Sequence, residues 1–242
     1  MTALSFATRA LVYAGLAAEG ICVLSFVITG KAKHLPLVFS FLAYLFISDA
    51  TLLFLVPQSQ SWPALVITTY IGYFLEIAAI WELASIAALN SRWGATAKRL
   101  RVGSLWLAFL VPGTLLLAHT NGYENFGLEE GHFLRVDVYA SIFRVLAFIT
   151  ILCFRRRGDR AHYALAIRAT LVFAAYAICS LMMHVFNQLD RWLSFPVDAF
   201  EISECVCGYV WIVLLSVLTW QIFRQPALRP LRQFEPASKP PN

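Results

Sequence analysis

Glu19, Asp49, Glu76, Glu82, Glu201 and Glu204 lie within runs of sequence otherwise apolar enough to cross a lipid bilayer, and the one strong base at comparable depth is Arg144. An ionised side chain at the bilayer centre costs roughly 2.5–3.5 kcal/mol on insertion scales. Acids in such number must be gathered in a protein-lined or wet interior, paired with a base, or held protonated. One arginine cannot neutralise Glu19, Asp49, Glu76 and Glu82 together. At least one of these carboxyls is therefore expected to be protonated, hydrated or in contact with a cation. The chemistry open to such a set is proton or cation binding, or recognition of a small cationic or polyhydroxy ligand.

Helical spacing sharpens the picture, because residues at i, i+3, i+4 and i+7 share a face. Gly15, Glu19 and Cys22 form one stripe; Tyr44, Ser48 and Thr51 form another, with Asp49 beside them. Gly72, Tyr73 and Glu76 share a face, as do Asp137, Ser141 and Arg144. Further along, Tyr176, Ser180, His184 and Asn187 align, and so do Asp198, Glu201, Glu204 and Gly208, continuing to Trp211. The candidate ligand- or ion-binding residues are thus Glu19, Asp49, Glu76, Arg144, Tyr176, Ser180, His184, Glu201 and Glu204. Arg144 is expected to pair with Glu19 or Glu76.

Catalysis and metal binding leave weaker traces. Ser180 and His184 are the sole candidate nucleophile–base pair, and a spacing of four on a helix is common by chance. No catalytic assignment is made from it. The 119–134 loop carries His119, Glu124, Glu129, Glu130 and His132, a set able to bind a divalent cation but more often simply solvated. Cys205 and Cys207, two apart, point about 200° away from each other on a helix, which suits neither a metal pair nor a disulfide. The five cysteines read as small apolar core residues. No metal site and no cofactor are expected.

The elements that must position these groups are membrane helices. Of 242 residues 60% are hydrophobic and 14% charged, whereas soluble domains are about one quarter charged. The expected fold is all-α, a polytopic membrane protein of seven transmembrane helices within residues 1–225, followed by a disordered, basic, proline-rich tail over 226–242. The spans fall at 8–29, 35–56, 64–90, 102–118, 135–154, 162–187 and 200–223. The third and sixth are long enough to protrude, and Pro112 suggests a kink in the fourth. The first apolar run is too long for a signal-peptide core and reads as a retained span. A 125-residue offset lays spans one to three on five to seven and Glu19 on Arg144, the pattern of a weak internal repeat.

Lys and Arg set the direction. Fourteen of them fall in the connections after spans one, three and five and in the tail, against Arg9, Arg135 and Arg191 on the other side. The N-terminus is therefore expected outside and the C-terminus in the cytoplasm, in a cell or bacterial-type inner membrane. The basic collar favours anionic lipid headgroups and makes a nucleic-acid partner unnecessary. With that topology the polar residues trace a funnel open to the outside, tapering near mid-membrane above apolar stretches such as Val210 to Leu218.

Several seven-helix activities are excluded by residue type. Span seven has no lysine for a retinal Schiff base, and one intramembrane histidine, His184, is too few for a zinc hydrolase site. The expected function is an integral membrane sensor or ligand-binding protein with an outward acidic pocket, signalling through a cytoplasmic or membrane partner. The alternatives are a proton- or cation-coupled transporter, with Glu76 as coupling site and Glu82 the next step inward, and a structural subunit of a membrane complex.

Overall fold

The computed structural model describes residues 3–57, 61–89, 130–153, 161–193 and 199–224. The expected fourth span, most of the 119–134 loop, Asp198, the basic 155–160 connection and the tail lie outside the described residues. Within them the chain is all-α. Six helices run α1 (Ala3–Ile28), α2 (Pro36–Phe54), α3 (Ser61–Leu89), α4 (Glu130–Cys153), α5 (Ala161–Leu193) and α6 (Ala199–Arg224). Five of them, all but α4, are long and apolar enough to cross a membrane. In α4 the apolar stretch described is Ala140–Leu152. At 29 and 33 residues, α3 and α5 exceed the roughly 20 that a bilayer requires.

Local chemistry sets the boundaries. Gly30 ends the first helix with φ 67, a left-handed conformation that a side chain disfavours. One 3-10 turn, Lys31–Lys33, follows. The second helix then opens on Pro36, whose missing N–H costs nothing in a first turn. Its N-cap residue is Leu35, which has no capping side chain. The Glu82 carboxylate of α3 takes that role, accepting hydrogen bonds from the Leu37 and Val38 amides at 3.0 and 2.9 Å. Many hydroxyls within the spans return to carbonyls of their own helix, among them Ser48 to Leu45 and Thr51 to Ile47. This back-bonding explains how they sit in apolar helices without serving a site.

The helices close into a ring in chain order, α1 to α6, with α6 returning to α1 and α3 touching α5 across the middle. Neighbours α1 and α2 are antiparallel, Tyr13 meeting Phe54 and Phe26 meeting Phe39. The α1 and α6 helices are parallel, joined near Leu11 and Gly208 at one end and by Lys31 and Ile222 at the other. A ring wound in chain order maps onto itself under the 125-residue offset whether or not a repeat exists. Large apolar side chains such as Ile28 and Leu55 point outward, 72% and 76% exposed, as lipid-facing residues do.

The two ends of the bundle differ. At the end bearing the Gly30 turn, Phe26, Leu35, Leu42, Leu165, Leu215, Leu218 and Ile222 are fully buried. We call this the closed end. An aromatic layer lies next along the axis. Phe173 on α5 meets Phe41 of α2, Phe148 of α4 and Trp211 of α6, with ring centroids 5.9, 6.1 and 6.5 Å away. Beyond that layer lies the opposite, open end, where Val12, Tyr13 and Leu55 are exposed.

Candidate functional site

At the open end a cavity of about 520 Å³ lies between α1, α2, α5 and α6. The first helix contributes Leu11, Gly15 and Glu19, and the second Asp49, Leu52 and Leu53. Tyr176, Ser180 and Met183 come from α5; Cys205, Cys207, Gly208 and Trp211 come from α6. The walls are mostly apolar with a few convergent polar groups, the usual make-up of a small-molecule site, and the volume falls within the range of such sites. The floor is the aromatic layer, since Tyr176 packs on Trp211 at 4.3 Å one turn from Phe173.

The two carboxylates on this cavity are treated differently by their surroundings. Glu19 is 3% exposed. The indole Nε1–H of Trp211 donates to its Oε1 at 2.8 Å. Its Oε2 is buried and has no hydrogen-bond partner among the described residues. A buried acceptor left unpaired costs roughly 1–3 kcal/mol, more if it is charged. Asp49, by contrast, is an exposed residue at the cavity wall.

A second polar cluster stands apart on α3 and α4. Arg144 donates through Nε to Glu76 Oε2 at 2.7 Å, with both side chains largely buried. Its guanidinium also lies over the Tyr73 ring, 5.0 Å from the centroid. The pair thus resolves in favour of Glu76 rather than Glu19. The Arg144 Nη1 group approaches Ser141 Oγ at 3.3 Å, and Ser141 in turn lies 3.4 Å from Ser180 Oγ, which borders the cavity. A chain of polar groups therefore leads from the ion pair to the cavity wall.

Of the nine residues picked from the sequence, the cavity brings together Glu19, Asp49, Tyr176 and Ser180. Glu76 and Arg144 pair with each other beside it. His184 lies on α5 and Glu201 and Glu204 on the first turns of α6; their side chains fall outside the described residues. Glu82, expected as an inward step beyond Glu76, instead caps α2. Trp211, not among the nine, joins the site through its bond to Glu19; its place at the end of the Asp198–Gly208 stripe is the sequence signal for it. Lys31, grouped by sequence with the headgroup-facing collar, is 2% exposed and donates its ammonium to the Ile222 carbonyl. Burial lowers its pKa below the ordinary lysine value. Among the described residues no three His, Cys, Asp or Glu side chains are grouped to hold a metal.

No family model, no curated protein and no solved structure matches this chain. The class that fold and cavity define is a helical integral membrane protein with a mostly apolar cavity between its helices that carries two carboxylates, and function must be argued from the site itself.

Proposed function

We propose that the protein is a membrane sensor or ligand-binding protein that takes a small polar or cationic molecule into the cavity at the open end. In this reading the chain crosses the membrane seven times, with the N-terminus outside, the open end facing outward and the basic connections in the cytoplasm. The skew of Lys and Arg supports the orientation. The observation that carries the reading is Glu19, a carboxylate 3% exposed on the wall of a 520 Å³ cavity with one oxygen unpartnered. A folded protein retains such a group at a cost to stability, and function is the common reason.

Sensing is favoured over transport by the closed end. Below the cavity, among the described residues, the path is filled by the aromatic layer and by fully buried aliphatic side chains, and Glu82 and Lys31 are held there by backbone groups. Lys31 ties the first turn to the end of α6, a contact through which a shift of α1 against α6 around a ligand would reach the cytoplasmic side and a signalling partner.

Purified protein in lipid nanodiscs, screened against a broad panel of polar metabolites, is expected to gain thermal stability with a subset of them. Hydrogen exchange should slow in the open-end halves of α1, α2, α5 and α6 on binding. A panel in which nothing shifts the melting point or the exchange would remove the reading. Proteoliposomes that accumulate the bound compound would replace it with a carrier.

A further inference from the structure

The donor set of the cavity narrows the ligand beyond the reading on which it rests. We propose that the cavity binds a protonated amine with an apolar body, its ammonium group donating to Glu19 and Asp49 and its body lying between α1, α2 and α5. Glu19 Oε1 is already taken by the Trp211 indole, so the acceptor left without a partner among the described residues is the buried Oε2. A ligand that completes the site must bring a hydrogen-bond donor, and a charge-assisted N⁺–H···O⁻ bond is the strong form of that contact. Asp49 places a second carboxylate on the same cavity, and among the described residues no lysine or arginine borders it. Two acids without a base repel an anionic ligand and attract a cation.

The remaining lining decides between cations. Leu52, Met183 and their neighbours are apolar, so a hydrated metal ion or a polyhydroxy compound would forfeit hydrogen bonds along these walls. An alkyl or aryl amine would not. The rings of Tyr176 and Trp211 border the cavity next to Glu19, and an ammonium near aromatic rings gains a further cation–π attraction. A quaternary ammonium would enjoy that attraction yet leave Oε2 unpaired, which is why an amine carrying N–H is assigned.

The test uses the full chain in nanodiscs and three probes sharing one phenylpropyl skeleton: 3-phenylpropan-1-ammonium, neutral 3-phenylpropan-1-ol and anionic 3-phenylpropanoate. Calorimetry is expected to rank the amine tighter than the alcohol by roughly tenfold or more, with no binding of the carboxylate. Glu19→Gln and Asp49→Asn should each weaken the amine by roughly tenfold and weaken the uncharged alcohol by much less; Asp49, exposed, gives the same readout should Glu19→Gln fold poorly. Gly15 borders the cavity, and a Cβ placed there meets nothing within 4 Å, so Gly15→Phe fills the space and should abolish binding of both. Equal affinity for amine and alcohol, or indifference of the amine to both carboxylate variants, overturns the ammonium inference while the cavity remains a ligand site. Binding that survives Gly15→Phe places the ligand elsewhere and overturns it too. If no probe binds, the inference falls, and the cavity reading falls with it only when the metabolite panel is also blank.

Discussion

The closed and open ends of the bundle both bury charge, but they do so on different terms. At the closed end two charged groups that are wholly or partly buried, Glu82 and Lys31, meet complementary backbone groups. Glu82 receives two amides of α2, and Lys31 reaches the Ile222 carbonyl in the last turn of α6. Both follow the helix dipole, an anion at a positive N-terminus and a cation at a negative C-terminus. Between the ends, Arg144 and Glu76 satisfy each other. At the open end Glu19 keeps one oxygen unpaired and Asp49 faces open space. The lesson is that an acid inside a membrane helix is not by itself a sign of function. What separates a structural carboxylate from a candidate binding group is whether the fold completes its hydrogen bonds.

That contrast is breakable, and the strongest blow falls on the ion pair. Arg144→Leu strands Glu76 and is expected to destabilise the protein by roughly 3–5 kcal/mol in mixed-micelle unfolding, with Glu76→Leu in the same chain restoring most of the loss. If the single variant were as stable as wild type, the claim that Glu76 is held structurally would be gone. Glu82→Leu removes the acceptor from two helix-start amides and should cost about 1–3 kcal/mol, while Glu82→Gln, which keeps an acceptor oxygen, should cost less. Equal losses in the two would mean that capping is not what Glu82 does.

Lys31 sharpens the comparison through pH. Its pKa in the folded protein lies below the usual 10.5 because it is buried, so the unfolded chain binds more protons in the interval between the two values. Stability should therefore rise with pH in the window that ends near 10.5. Lys31→Met should lose about 1 kcal/mol at neutral pH with the bond to Ile222 and should lack that rise. Parallel pH profiles for the two proteins would contradict it. At the adjoining turn, Gly30→Ala should cost about 1 kcal/mol, since its φ of 67 suits glycine and a Cβ there touches nothing that could compensate. The smallest change is expected at the open end. Glu19→Gln should leave stability within about 0.5 kcal/mol of wild type or raise it, because a buried, half-partnered carboxylate adds little to the fold. A large loss would move Glu19 into the same structural group as Glu76 and Glu82.

Much of this was legible without coordinates. Apolar runs of bilayer length locate the described helices, because a membrane helix must satisfy its backbone internally and show hydrocarbon outward. Helical periodicity likewise placed Glu19, Tyr176 and Ser180 on inward faces. Periodicity could not say which stripe meets which. The Ser48 and Thr51 hydroxyls, read as part of a polar face, bond within their own helix, a choice that depends on rotamer and not on spacing. Glu82 looked like one more membrane acid until α3 was laid against the start of α2.

What the sequence determined alone is the kind of object: apolar helices, a basic skew in the connections, and more intramembrane acid than base. Only the tertiary structure decided the partners. Packing order put Arg144 beside Glu76, Glu82 under α2 and Trp211 against Glu19. Hydropathy is a property of a segment read along the chain. The satisfaction of a buried charge belongs to groups that meet in space, here up to 192 residues apart, and no single helix carries that information.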